Sequence, residues 1–458
     1  MTSSTGFNNI IDFGAVSGGA ELCTKAFFAA VEKCTQHGGG TVYVPAGTFL
    51  TGPIELKSNV TLHLEAGSRV LFSVRIEDYP LREVRWEGTE RPGYMPMIYA
   101  RAAQNICITG TGTIDGQGGF WWKNHLDGKL LHPRPRLLYF EDCSRILLEK
   151  VLLVNSPAWT VNPVRCRNIT IDNISIVNPP NSPNTDGINP DSCKNVRISN
   201  CQVDVGDDCI AIKSGVENGK YLIPCENVCV TNCTLLHGHG GVVIGSEMSG
   251  GIRNVVISNC IFEGTDRGIR LKTRRGRGGT VCDIRVSNLI MKDVMCPIVM
   301  HQFYFCGEGG KEKKVRDREC HPVTAETPAF RSIHFSGITA VNVHAAAAFL
   351  YGLPEMPIED ITFDSISISM AENAVPGVPA MMEGVGETLK MGVFCANVKN
   401  ISFNNVSVRG VEGPVYQLNS AEGVTFSNCR LDSYSQPALV KQETADSSFP
   451  LKTPFLCP

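Results

Sequence analysis

Residues 195–214 read NVRISNCQVDVGDDCIAIKS, residues 227–246 read NVCVTNCTLLHGHGGVVIGS, and residues 254–273 read NVVISNCIFEGTDRGIRLKT. The three segments align on their first asparagines without a gap. Further copies of the unit N-(V/I)-x-(V/I/F)-x-N-x-x-(V/L/I) begin at Asn168, Asp283, Asp360, Asn400 and Gly423. Each copy holds two short runs in which apolar and polar residues alternate, separated by a turn. Alternation with period two means strands that bury one face. The second asparagine of the unit recurs as Asn173, Asn200, Asn232, Asn259, Asn288, Asn405 and Asn428. Asparagine tolerates the left-handed backbone of tight turns, so a ladder of stacked asparagines is expected there. Uninterrupted copies start 27 to 32 residues apart, too short for an independent domain and long enough for one three-stranded coil. The pattern predicts an all-β chain wound as a right-handed parallel β-helix, in which residues of one column lie about 4.8 Å apart.

A solenoid grows by stacking, so the 458 residues are read as a single catalytic domain, with 1–50 as cap and first coil and 51–458 as further coils carrying loop insertions. Residues 21–37, ELCTKAFFAAVEKCTQH, read as an amphipathic helix stopped by Gly38, Gly39 and Gly40 and covering the open end of the first coil. Insertions near 79–101, 119–136, 303–330 and 370–392 break the period and supply material for the walls of a cleft. A net charge of −3 gives no bulk attraction to nucleic acid or to a membrane surface, so an anionic ligand has to be held by local cations. No hydrophobic run has the length of a membrane span, and the opening MTSSTGFNNIIDFGAV lacks the basic and apolar stretches of a signal peptide. That points to the cytoplasm for the sequence as it stands, or to secretion if a leader has been removed. Nineteen cysteines include a column, Cys201, Cys233, Cys260 and Cys429, separated by whole repeats and read as small side chains stacked in the core. The nearer set Cys225, Cys229 and Cys233 lacks a fourth ligand, so neither a zinc site nor any other metal or cofactor is expected.

The alignment places chemistry in register. Asp207 and His239 share a column, with Asp208 beside them; Asp266 falls in the same column and reads as a turn residue or a partner for Arg267. In the strands that follow, Ile210, Ile212, Val242, Ile244, Ile269, Leu271, Ile298 and Met300 point inward, which turns Arg270 and Lys272 outward together. Lys213, Arg270, Lys272 and His301 then line one groove, bordered by the turn that carries Asp207, Asp208 and His239. Asp186 in NTDGINP comes from the preceding copy. Three carboxylates within two coils repel one another, which raises at least one pKa and keeps a proton near neutral pH. Taken singly, an aspartate at a turn more often satisfies backbone amides, and Lys213 could be an ordinary strand lysine. Jointly, an acid and a base in one cleft meet the needs of glycoside hydrolysis.

At these residues the chain resembles the polygalacturonases, glycoside hydrolase family 28. The matching segments are Asn184-Thr185-Asp186, Gly206-Asp207-Asp208, Gly238-His239-Gly240 and Arg270-Leu271-Lys272, in that order, with Leu271 as the one departure. The resemblance implies a pectin-lyase-like solenoid and inverting hydrolysis of α-1,4-linked galacturonate in pectic oligosaccharides or polysaccharides. It makes Asp207 the general acid and Asp186 and Asp208 the base for water, with His239 tuning the acid. Arg270 and Lys272 would bind the substrate carboxylate, and Asn184 and Lys213 would line the same site. Inversion calls for roughly 6.5 to 9.5 Å between the acid and base carboxyls. GSEMSGG (245–251) and RLKTRRGRGG (270–279) look like family members that act from a chain end, with Glu247, Arg274, Arg277 and Tyr304 as candidates for reading the terminal sugar. Three alternatives stand beside this: a rhamnogalacturonan- or xylogalacturonan-directed hydrolase of the same family, a calcium-dependent pectate lyase using the aspartates as metal ligands, and a β-helix that only binds a glycan.

Overall fold

Positive φ at the first asparagine of each copy bends the chain into successive strands. Asn168, Asn195, Asn227 and Asn254 have φ between 56° and 59°, and Asn173, Asn200, Asn232, Asn259 and Asn288 between 53° and 58°. Both columns are ladders. Asn195 Nδ2 donates to Asn168 Oδ1 at 2.9 Å, Asn227 to Asn195 at 2.9 Å and Asn254 to Asn227 at 3.1 Å. In the second column Asn232 donates to Asn200 at 3.4 Å and Asn288 to Asn259 at 2.8 Å. Each amide therefore satisfies its neighbour where the turn leaves backbone groups facing outward.

A computed structural model describes residues 6–307, 309–431 and 439–442, so the end of the stretch read as coils, residues 443–458, lies outside the described residues. The strands of the coils pair in parallel, and 29 of them join in one continuous right-handed winding. One antiparallel hairpin, Leu81–Trp86 with Thr89–Tyr94, stands apart. The inward residues of successive coils form one apolar cluster running from Ile10 to Val424. The predicted cap is the helix Thr24–Gln36, whose Phe27, Ala30, Val31 and Cys34 are buried against the first coil. No described helix is long and apolar enough to cross a membrane. Every described cysteine is a free thiol. Cys201, Cys233 and Cys260 are buried in the predicted column. A second buried column, Cys143, Cys166, Cys193 and Cys225, escaped the sequence reading because it lies just ahead of the asparagine that begins each unit, outside the aligned segment.

One column of strands positions the site. Asp208–Ile212, Gly240–Gly245, Arg267–Lys272, Cys296–His301 and Ala346–Tyr351 follow one another in register. Isolated bridges Ile188 to Ile210 and Asp191 to Lys213 continue it into the preceding coil. Ile210, Ile212, Val242, Ile244, Ile269, Leu271, Ile298 and Met300 all face the core, as the alternation requires.

Candidate active site

The bridge between Ile188 and Ile210 sets Asp186 directly beside Asp208 one coil on. Asp207 is the next residue back along the chain, and pairing of Asp208 with Gly240 brings His239 alongside Asp207. An oxygen from each of Asp186, Asp207 and Asp208 lies within 4.8 Å of the other two. The roughly 6.5 to 9.5 Å that inversion sets between acid and base is a separation of whole carboxyl groups, which the distance between nearest oxygens does not measure. Coil stacking brings the oxygens together: neighbouring strands are about 4.8 Å apart, Asp207 and Asp208 are consecutive in one coil, and Asp186 lies in the coil before it. Gly238, at φ 73°, makes the turn fit, since a Cβ there would stand 2.3 Å from the Asp207 carbonyl oxygen.

Three environments distinguish the carboxylates. Asp208 is 2% exposed, and Lys272 Nζ reaches it at 2.7 Å with Arg270 Nη1 at 3.4 Å. Burial alone would raise its pKa, but the charges of Lys272 and then Arg270 outweigh burial and hold Asp208 well below the carboxylate range. Asp186 accepts a 2.8 Å hydrogen bond from Asn189 Nδ2 and, among the described residues, meets no cation within ion-pair distance. Burial, and next the charge of Asp207, push its carboxyl well above the usual range. Asp207 Oδ1 accepts the Asp208 amide at 2.9 Å and lies 3.2 Å from His239 Nδ1. That contact to Asp207 raises the histidine pKa against the opposing effect of burial. The raised pKa expected in the cluster thus belongs to Asp186.

The carboxylates open into a cavity of about 410 Å³. Trp159, Lys213, Glu247 and Lys272 form its floor, and Arg277, Tyr304 and Asn184 stand around it. Lys213 Nζ pairs with Glu247 at 2.7 Å and lies 5.0 Å from the Trp159 ring centroid. Burial would lower the Lys213 pKa, and the charges of Glu247 and Asp186 reverse that, so the lysine stays a firm cation. Insertions make the walls. The hairpin of residues 81–94 brings Glu87, Thr89 and Arg91, and the turn after Lys213 brings Val216, Glu217 and Asn218. The two meet at the hairpin tip, where a Cβ on Gly88 would lie 2.3 Å from Val216.

The profile of the glycosyl hydrolases family 28 matches residues 34–379. The chain belongs to that family. It is 37% identical over 391 residues to a probable polygalacturonase of Vitis vinifera, covering 82% of this chain and 77% of the relative. It is 30% identical to an exopolygalacturonase of Arabidopsis thaliana over 73% of this chain and 78% of that one. Among solved structures, a hyperthermoactive exopolygalacturonase from Thermotoga maritima superposes with a TM-score of 0.71 at 31% identity, over 84% of this chain and 95% of that chain. This family 28 hydrolase thus carries the fold and enzyme class that its motifs announced.

Several expected site residues stand elsewhere than the alternation implied. Arg270 does point outward, yet it is 1% exposed and does not line the cavity: Asp208 lies in front of it and the sulfur of Met381 covers its Nη2 at 2.8 Å. His301 holds its column beside Lys272 but is fully buried and reaches no cavity wall, because the chain beyond the strand folds back and sets Tyr304 over it, ring centroids 6.1 Å apart. Burial, then the nearby charge of Arg270, keeps His301 neutral. Arg274 is likewise behind the wall and pairs with Glu217 at 2.7 Å, whereas Arg277 pairs with the other Glu217 oxygen at 2.7 Å and does face the cavity. Tyr304 lines the cavity with its ring 5.1 Å from Lys272 Nζ. Asp266 pairs with Arg267 at 3.2 Å. Sequence reasoning missed Glu87, Arg91, Trp159, Glu217 and Arg134. Of these only Arg134 had a signal, a lone cation between prolines in HPRPR (132–136).

Proposed function

We propose that the chain is an exo-acting polygalacturonase, one catalytic β-helix that hydrolyses α-1,4-linked galacturonate with inversion and releases galacturonic acid from a chain end of pectic oligosaccharides or polysaccharides. The observation that carries it is a carboxylate triad inside a cavity at whose edge the 81–94 hairpin meets Val216, which we read as the blocked end. A polymer cannot run through a closed end, so only a terminal sugar fits beyond the cleavage point. The names of the Arabidopsis and Thermotoga relatives support the same mode.

Asp207 donates the proton to the leaving oxygen, with protonated His239 in contact. Asp186 takes the proton of the attacking water: base strength rises with pKa, and Asp186 is the raised member. Asp208, its charge stabilised by Lys272 and Arg270, is a weak base and holds the water through hydrogen bonding while its negative charge favours the oxocarbenium-like transition state. Lys272 and Arg277 face the cavity and take the uronate carboxylates, with Lys213 and Glu247 positioning hydroxyls; Arg270 acts from behind, through Asp208.

A time course on trigalacturonate and polygalacturonate without added calcium tests this, following product size and unsaturated-sugar absorbance together. Monomeric galacturonate from the first time point, without unsaturation, is expected. Early mixed oligomers would contradict exo action, and calcium-dependent unsaturated products would make the triad a metal site of a lyase. Unchanged function in Asp207→Asn would leave only glycan binding.

A further inference from the structure

We propose that Arg134 is a positioning residue for the hydrolytic reaction: its guanidinium fixes the turn that presents Asp186 and keeps a positive charge beside the Asp186 and Asp207 carboxyls. The proposal rests on the reading of Asp186 as the base. Arg134 lies beyond the helix Gly118–Leu126, in an insertion far in sequence from the catalytic segments. Its Nη1 donates to the carbonyls of Pro157 at 2.9 Å and Pro183 at 2.7 Å, and its Nη2 to Asn184 Oδ1 at 2.6 Å. Pro157 belongs to one coil, and Pro183 and Asn184 to the turn two residues ahead of Asp186. A single rigid fork thus ties the turn to the coil beneath it. The turn needs tying, because Asn184 sits at φ 54° and the segment 179–183 contains three prolines and no strand.

Charge is the second part of the argument. Arg134 is 2% exposed, and its hydrogen-bond acceptors among the described residues are all neutral. A buried cation without a paired carboxylate is costly, and a staple alone would be served by neutral donors. Burial draws its pKa down to about 10, and Glu87, Asp186 and Asp207 oppose that fall. It therefore remains charged at neutral pH, and by reciprocity its field favours the ionised forms of those three groups. Among the described residues, the other titratable groups acting on Asp186 are Asp207, Asp208, Cys209 and Lys213 of the next coil. Removing the cation leaves their repulsion less opposed.

The test compares Arg134→Gln and Arg134→Lys with the native enzyme on trigalacturonate across pH, alongside thermal unfolding and Asp186→Asn. Arg134→Gln is expected to lose about 100-fold in kcat with KM within about threefold, the scale set by small misplacements of catalytic groups. Its acid limb should also move upward, since losing a positive neighbour raises the Asp186 pKa further. Arg134→Lys should keep the acid limb and lose kcat through geometry alone. An unmoved acid limb in Arg134→Gln, with activity falling only in step with stability, overturns the proposal. Should Arg134→Gln not fold, wild-type kcat in Arg134→Lys overturns it, because an ammonium cannot reproduce the fork, and a drop of about tenfold at unchanged stability sustains it. Asp186→Asn with native turnover would instead sink the assignment of the base, and this proposal with it.

Discussion

Under the proposed mechanism, with Asp186 as base and His239 as the partner of the acid, these two residues set opposite edges of the pH range. As a base, Asp186 acts only when ionised, and burial with the charge of Asp207 raises the pH at which that happens. Activity is therefore lost as pH falls through that raised value. His239 acts as the protonated partner of Asp207, and its contact with Asp207 lets it keep the proton above the ordinary imidazole range. Activity is lost as pH rises through that value. The expected kcat/KM profile is a bell whose acid edge lies above normal carboxylate values. In His239→Gln the alkaline edge should move or vanish while the acid edge stays. An alkaline edge identical to that of the native enzyme would remove His239 from the mechanism. Arg270 shows how a pattern can be right about direction and silent about access: alternation turns it outward, and Asp208 then takes it up.

Under the proposed exo mode, the element that sets where the chain end stops is the hairpin of residues 81–94. It is anchored by a buried pair, Arg85 to Asp191 at 3.0 Å, and by Trp86 stacked on Trp159 at 5.5 Å between ring centroids. Arg165 adds a contact to Glu90 at 3.5 Å. Such anchoring makes the hairpin a fixed wall. Replacing residues 81–94 by a short glycine-serine link should open that side of the cavity and shift the first products of polygalacturonate from monomer towards longer oligomers, read by chromatography. Persistence of monomer as the sole early product would place the block elsewhere, for which the loop carrying Tyr304 to Glu312 is the next wall.

Over the whole molecule, stability is a sum of contacts between neighbouring coils, so the ends are the weak points. Phe27 on the cap helix is 1% exposed and covers the first coil. Phe27→Ala should cost about 3 to 5 kcal/mol by denaturant unfolding. Hydrogen exchange should show residues 40–72 losing protection before residues 208–301. Simultaneous loss throughout the chain would mean that the solenoid opens as one unit. The same one-dimensional order explains what the sequence by itself determined. Because a β-helix repeats at a fixed rung, aligning the copies is equivalent to knowing the stacking. The asparagine ladders, the inward faces, the shared column of Asp207 and His239 and the origin of Asp186 in the coil before Asp207 were therefore all legible. Tertiary structure alone decided how far apart the carboxyls stand, which charges pair, and which outward residues are covered. The insertions have no period: whether the chain beyond His301 folds back over it, whether Met381 caps Arg270, and whether Arg134 reaches Asn184 depend on contacts between segments with no register to link them.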